Sequence, residues 1–499
     1  MTARRGFISA LDNVHLAMGA LSELFAPEAV AVVGATDREG SVGRAILTNL
    51  QNGYEGEIVA VNPNRESVLG VECHPDIASA PGVDVSVIVV PPEIVLDAVR
   101  ESGEAGVRNV VVITAGFGET GSEGASRERE LQSIAAEYDL NLVGPNSLGI
   151  MSTSVGMNAT FGPENARPGS ISFMSQSGAF ITAVLDWANT QNIGFKDVVS
   201  LGNKAVLDET DFVREWGEDP DTDVIIGYLE GIDDGRAFID AARSVTDDTP
   251  IVLVKSGRTD AGAQAASSHT GTIAGSEQAY EAGLEQAGVL RVETVQDMFD
   301  YARALSGMPI PQRDDVAVIT NAGGPGVMAT DAIGDSALSL ASFSEATLET
   351  YRDTLPEEAN IYNPVDVIGD APVERFETAL EAALADDNVG AAITLSAPTA
   401  VLSYENLADV VGRLQQKYGK PVVGAFMGGE RAEAGADALR EYGIPNYFDP
   451  ARAVGSLAAL SQFREVTERE YDTPERFEDV DTDRAREILG RAKHGPDNR

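Results

Sequence analysis

AVAVVGATDREGSVGRAILTNL (29–50) decides the fold of this chain. A strand with one face in water alternates apolar and polar residues. Here the apolar run is continuous up to Gly34, which marks a strand buried on both faces of a parallel sheet. A polar, glycine-containing loop follows, and then a helix-like stretch. The unit then repeats. EIVAVNP (57–63), VSVIVVP (85–91) and NVVVITAG (109–116) are runs of the same kind, each ending in Gly, Pro or Asn, and LNLVGPNSLG (140–149) closes the series. The spacing of about 25–30 residues is that of successive βαβ units, so residues ~21–150 read as one doubly wound domain.

Two further cycles follow. The second begins at GSISFMSQSGAF (169–180) and passes through KDVVSLGN (196–203), TDVIIGYLEG (222–231), PIVLVKSG (250–257) and GVLRV (288–292). The third begins at DVAVITNAGGPG (315–326) and passes through VGAAITLS (389–396) and KPVVGAFMGG (420–429) to IPNYFDP (444–450). PIPQRDD (309–315) reads as the linker between them. The expected fold class is α/β, with three successive doubly wound parallel-sheet domains. A length of 499 residues agrees, at roughly 150 residues per domain. Residues 1–20 read as an N-terminal amphipathic helix. From about Arg464 the chain becomes densely charged and reads as a tail or linker, with one helix expected at 482–492.

Composition excludes several classes. Hydrophobic residues make up 43% of the chain, enough for packed cores. The single cysteine, Cys73, excludes a disulfide scaffold and fits a reducing, cytoplasmic location. No run reaches the ~18 apolar residues of a membrane span. The formal charge is −43, from 36 Lys+Arg against 79 Asp+Glu, and such a field repels nucleic acid and anionic membranes. Only six of the basic residues are lysine: Lys196, Lys204, Lys255, Lys417, Lys420 and Lys493. An acidic, lysine-poor chain suggests a halophilic protein whose self-repulsion is screened by salt; the alternative is an ordinary acidic enzyme.

Loops at the carboxyl ends of parallel strands carry ligands. The first, from Gly34, opens a helix whose amides can receive a phosphate, and Arg65 in VNPNR (61–65) is placed to assist. The loop is not GxGxxG, which disfavours NAD and favours another phosphorylated ligand such as coenzyme A. The second, FMSQSGAF (173–180), offers Ser175, Ser177 and the amides of Gly178 and Ala179 as an anion nest. It is not the GxSxG of a hydrolase, and Ser177 could equally serve as a helix N-cap. The third, TNAGGPGVMATDA (320–332), lets the backbone approach a ligand at Gly323, Gly324 and Gly326 and lacks the Lys-Ser/Thr of a Walker loop.

Histidine occurs four times, at His15, His74, His269 and His494. Cys73–His74 adjacency is poor evidence for a metal, and no metal site is expected. His269 lies in a long Gly/Ala/Ser segment between a strand and a helix, where a loop can move. A nucleophilic histidine needs a partner to hold its tautomer. Glu230 is the candidate, because a carboxylate at the end of a buried strand is costly without a role.

Taken in order, VVGAT, VNPNR, VVPPE, ITAGF and GPNSLGI resemble the CoA-binding domain of succinyl-CoA synthetase α chains. SQSGAF, LGNKAVLDETDF, YLEGI and SSHTGTIAGS continue the likeness, and TNAGGPGVMATDA and NPVDVIGDA extend it into the third cycle. Over about residues 21–465 the chain resembles the ADP-forming acyl-CoA synthetase family, which includes ADP-forming acetate–CoA ligase α chains. The resemblance implies a Rossmann-like CoA-binding domain (21–150), a flavodoxin-like phosphohistidine domain (151–308), a second flavodoxin-like ligase domain (315–465) and a tail (466–499). It implies conversion of acyl-CoA, phosphate and ADP into acid, CoA and ATP through an acyl phosphate and a phosphohistidine. His269 would carry the phosphoryl group, Glu230 would support it, and the SQSG and GGPG loops would hold it. CoA would lie near Gly34, Thr36, Ser41, Pro63, Arg65, Pro91 and Pro92. No ATP-grasp module is recognised, so a separate β subunit would bind ADP/ATP and Mg²⁺, making the enzyme a hetero-oligomer. The alternative is a CoA- or acyl-CoA-sensing or repurposed paralogue that makes no ATP. The small organic acid is left open.

Overall fold

The computed structural model describes residues 21–80, 82–259, 261–262, 277–469 and 484. The helix expected at 1–20 lies outside the described residues, as does that at 482–492 apart from residue 484, and so do His15, His269 and His494. The runs of the first cycle form one seven-stranded sheet. Its order is β3 (Ser67–Val68), β4 (Val71–His74), β2 (Glu57–Val61), β1 (Ala29–Val33), β5 (Val85–Ile88), β6 (Asn109–Val112) and β7 (Asn141–Val143). All pairs are parallel except β3 with β4. β1 sits at the centre, with Val30, Ala31 and Val32 wholly buried, as its unbroken apolar run requires. The helix Val42–Gly53 covers one face through Ile46, Leu47 and Leu50, each side chain contributing about 1.5–3 kcal/mol of burial.

The second sheet runs β14 (Leu290–Val292), β13 (Ile251–Lys255), β12 (Val224–Leu229), β10 (Arg167–Ser175), β11 (Gly194–Ser200), β8 (Gly149–Ser152) and β9 (Met157–Thr160). The first five are parallel neighbours, whereas β8 and β9 form an antiparallel hairpin added beside β11. The stretch 140–149, expected to close the first sheet, therefore closes it at Val143 and by Gly149 has entered the second. The third sheet has β16 (Ser339–Leu340), β15 (Asp315–Thr320), β18 (Ala391–Ser396) and β19 (Val422–Phe426), with β17 (Val365–Asp366) also on β15. IPNYFDP contributes a single bridge, Asn446 to Gly424, and no strand.

The sheets share their cores. One apolar cluster joins Val30, Val32 and Phe25 to Val199, Phe212 and Trp216, and another joins Phe173 and Phe299 to Val318 and Leu457. The linker 309–315 is pinned: Asp314 accepts from Arg464 at 2.8 Å and from the Ser461 hydroxyl. Nearby, Arg452 grips Asp300 through two bonds of 2.7 and 2.8 Å, a fork geometry that fixes the helix Pro450–Thr467 against Val295–Leu305.

Candidate functional site

In the first sheet the strand order reverses between β1 and β5, and their carboxyl ends open a crevice there. Gly34 has φ +98°, and a Cβ at this position would lie 2.3 Å from the Val89 carbonyl oxygen. No L side chain fits that close approach. Gly43 plays the matching part on the helix, where a Cβ would lie 2.6 Å from the Gly34 oxygen. The two glycines bring the helix N-terminus against the strand end, where its free amides face the crevice.

A cavity of about 1310 Å³ occupies this crevice and continues onto the second sheet. Of the residues expected to hold CoA, Gly34, Thr36, Ser41, Arg65 and Pro91 line it. Pro63 and Pro92 do not; Pro63 is exposed, and Pro92 starts the helix Pro92–Glu104. The Ser41 hydroxyl donates to the Arg38 carbonyl at 2.6 Å and so shapes the loop. Arg65 faces Asp37 at 3.2 Å across the mouth, both half exposed.

Ser177, Gly178 and Ala179 line the same cavity from the second sheet. The loop at the end of β10 is drawn tight by Ser175, whose buried hydroxyl donates to the Ser177 carbonyl (2.9 Å) and accepts from its N–H (3.0 Å). Ser175 therefore shapes the nest from behind and does not line it. The Ser177 hydroxyl accepts from Phe180 N–H at 3.3 Å, capping the helix Gly178–Thr190.

Glu230 follows β12, the immediate neighbour of β10, and is half-buried. Gln176 Oε1 accepts from the backbone N–H of Glu230 at 2.5 Å and of Gly231 at 3.0 Å, and Gln176 itself lines the cavity. On the other side Lys204 Nζ donates to the Gly231 carbonyl and to Glu209, both at 2.9 Å. Glu209 is fully buried, and burial pushes its carboxyl up to about 7 against the pull of Lys204. Lys255, at the end of β13, is also buried; burial lowers its ammonium, which rests 4.3 Å from the centre of the Tyr280 ring. Two of the six lysines therefore flank the Glu230 turn. Asn203 joins the two sheets at this point by donating to Glu119 at 2.6 Å and Glu128 at 2.8 Å. Burial opposes charge on Glu119, but hydrogen bonds from Asn203, Gly116 and Phe117 outweigh it and hold the carboxyl below its usual range.

Gly323, Gly324 and Gly326 do not line this cavity. They begin the helix Gly323–Gly334 after β15, with Gly323 and Gly324 exposed and Gly326 buried; a Cβ on Gly326 would meet Thr320 at 3.1 Å. Gln176, Lys204 and Asn203 were not singled out from the sequence, although each sits inside a quoted motif. Their signal was a polar side chain wedged between strand-end residues, which spacing does not separate from a solvated loop. Among the described residues no group of three or more His, Cys, Asp or Glu is placed to hold a metal ion. Nor is any helix among them long and apolar enough to cross a membrane.

Three family models match in chain order: "CoA binding domain" at 28–153, "Succinyl-CoA ligase like flavodoxin domain" at 168–305 and "Ligase-CoA domain" at 316–467. This order of domains, over a glycine-lined crevice, is that of a CoA ligase of the succinyl-CoA ligase type. The acetate–CoA ligase [ADP-forming] I of Archaeoglobus fulgidus is 44% identical over 470 residues, covering 94% of this chain and 67% of that protein. The acetate–CoA ligase [ADP-forming] I subunit alpha of Pyrococcus furiosus is 41% identical over 448 residues, covering 88% of this chain and 97% of that subunit. Among solved structures, dinucleotide-forming acetyl-coenzyme A synthetase 1 of Ca. Korarchaeum cryptofilum, in complex with phosphate and ADP, aligns with a TM-score of 0.86. The identity is 38%, covering 90% of this chain and 98% of that one. The chain belongs to the family of ADP-forming acetate–CoA ligases, which are acid–thiol ligases.

Proposed function

We propose that this chain is the α subunit of an ADP-forming acid–CoA ligase, acting with a separate ATP-grasp β subunit that binds ADP and Mg²⁺. The observation that carries the proposal is the continuous cavity between the Gly34 loop and the Ser177–Ala179 amides. One end suits the phosphates of CoA, with helix amides and Arg65. The other is a capped helix N-terminus suited to inorganic phosphate. Gly34, Thr36, Ser41, Arg65 and Pro91 contact CoA in this scheme. The covering of 97% of a relative named subunit alpha supports the heteromeric form.

A phosphate oxygen attacks the thioester carbonyl, the C–S bond breaks, and CoA leaves as a thiolate that takes up a proton. An imidazole nitrogen of His269 then attacks the phosphorus of the acyl phosphate, and the carboxylic acid leaves as its anion. The Glu230 carboxylate supports the cationic phosphoimidazole, and helix N-termini at Gly178 and at Gly323–Gly324 hold the phosphoryl oxygens. ADP bound to the partner takes the group, and the imidazole leaves neutral. The cytoplasm is the proposed location, and a salt-rich one accounts for the acidic, lysine-poor surface.

The test is phosphate transfer to the purified chain in high salt. With an acyl-CoA and radiolabelled phosphate, acid-labile, base-stable label is expected on the wild type and absent from His269→Ala, which still binds CoA. ATP is expected only when the ATP-grasp partner and ADP are added. Firm CoA binding with no label from any acyl-CoA would instead favour a CoA-sensing paralogue.

A further inference from the structure

Large apolar side chains are buried almost throughout the described residues, and few stand out in solvent. Of those that do, only Val42 and Phe161 line the central cavity. Phe161 is 40% exposed on the turn that follows β9. A ring that stands into a cavity occupies volume that a ligand group entering there has to avoid.

The turn beneath the ring is rigid. Asn49 Nδ2 donates to the carbonyls of Thr160 and Gly162, both at 2.8 Å, so one side chain clamps the residues on either side of Phe161. The Gly162 N–H donates to the Thr160 hydroxyl at 3.1 Å, and that hydroxyl donates to Asn158 Oδ1 at 2.7 Å. Asn49 belongs to the helix Val42–Gly53, whose first turn lines the phosphate end of the cavity. Seven residues on, about 10 Å along the axis, the same helix fixes the turn of Phe161. A Cβ on Gly162 would lie 3.4 Å from the Thr182 methyl and 4.0 Å from Leu148, and both of these side chains line the cavity beside Ser177–Ala179.

We infer that Phe161, with Leu148 and the Thr182 methyl, forms the wall against the acyl group and restricts this enzyme to short aliphatic acids. The inference rests on the proposed function, in which the thioester carbonyl meets phosphate at the Ser177–Ala179 amides. The acyl group then extends from that point toward the ring. Asn49 holds the backbone on both flanks of Phe161 and so fixes where the ring is attached; branched or aryl groups compete with the ring for that space, and an acetyl group does not.

The test is the dissociation constant of the full-length chain for free CoA, acetyl-CoA, 3-methylbutanoyl-CoA and phenylacetyl-CoA. Phe161→Ala is expected to shift the phenylacetyl-to-acetyl affinity ratio by about tenfold or more toward phenylacetyl-CoA. Phe161→Leu, a milder change if the alanine variant folds poorly, should shift it in the same direction by less. Asn49→Ala should also relax the ratio, since both clamping bonds go. An unchanged ratio, or an equal weakening of all four ligands, would overturn the inference, the latter placing the ring on the part of CoA they share. Failure of the functional proposal is read separately, as the absence of phosphate label on the wild type with every acyl-CoA.

Discussion

Gln176 holds Glu230 by its backbone: one side-chain oxygen accepts the N–H groups of Glu230 and Gly231, and the Gln176 N–H in turn donates to the Tyr228 carbonyl at 3.0 Å. The third sheet repeats the device. Asn321 Oδ1 accepts from the Ala397 N–H at 2.9 Å, with Thr320 opposite Leu395 as Ser175 is opposite Tyr228. Thr320 also binds the Ala322 backbone both ways at 3.0 Å, as Ser175 binds that of Ser177. Both sheets thus brace a glycine-opened helix against the next strand's loop. Position 230 carries a carboxylate where its counterpart, 397, is alanine; the third sheet instead presents Asp366, at the end of β17, with its Oδ2 3.4 Å from where a Cβ on Gly323 would lie.

Gln176→Leu removes the acceptor of two backbone donors. Unsatisfied buried donors cost about 1–3 kcal/mol each, and the expected loss of stability in urea unfolding is about 2 kcal/mol. The phosphate label should fall about tenfold or more, since the Glu230 turn is no longer held. Gln176→Glu keeps an acceptor and should recover the stability, while the added negative charge keeps the label low. A Gln176→Leu variant that labels like the wild type would show that the turn holds its place without Gln176.

Lys204 and Glu209 make a second brace. Lys204 is 4% exposed and Glu209 fully buried, and Glu209 Oε1 has no hydrogen-bond partner among the described residues. Breaking a buried pair by removing one partner typically costs about 3–5 kcal/mol, because the other charge stays uncompensated. Lys204→Met should destabilise the chain by about that amount in urea unfolding, and Lys204→Met/Glu209→Gln should recover a large part of it. Equal losses in the single and double variants would mean that Lys204 acts through the Gly231 carbonyl and Asp233, 3.7 Å away, and not through Glu209.

The sheets were legible because fully buried parallel strands have to be written as continuous apolar runs. AVAVV, VSVI and NVVV are each a strand of the first sheet. The hairpin of β8 and β9 escaped notice because GIMS and MNAT are short and mixed, and pairing with β11, not periodicity, makes them strands. The crevice was legible at Gly34, since only glycine accepts that φ beside Val89. Its far wall was not. Phe161 sits in no glycine-rich loop, and its place in the cavity depends on Asn49, more than a hundred residues earlier.

Arg65 and Asp37 share the mouth of the cavity, each 47% exposed, so their pairing is weak and screened by salt. Arg65→Ala should raise the dissociation constant for CoA about tenfold at low salt, the worth of one charge-assisted phosphate contact. Asp37→Asn should act in the opposite sense and tighten CoA, because it releases Arg65 and removes a carboxylate facing the anion. Both effects should shrink as salt rises. Titration calorimetry at two salt concentrations measures them, and weaker CoA binding by Asp37→Asn would place Asp37 among the groups that hold the ligand.

Glu215 sets a pH dependence whose sign follows from its surroundings. It lies in the last turn of the helix Glu209–Gly217, where burial, with Glu218 and Asp197 nearby, pushes its carboxyl up to about 7 despite Lys196. In the unfolded chain it ionises near 4.3. Between about pH 4.5 and 7 the folded chain therefore binds more protons than the unfolded one, so stability falls as pH rises through that window and stays lower above it. Glu209 acts in the same direction. The carboxyls held below their usual range, such as Glu119, Asp386 and Asp409, titrate below this window and do not oppose the trend within it. The Tm by scanning calorimetry in high salt, which screens the general charge repulsion, should be higher at pH 6 than at pH 8. In Glu215→Gln that difference should shrink without vanishing, because Glu209 remains. A difference as large as in the wild type would show that Glu215 is ionised in the folded chain throughout the range.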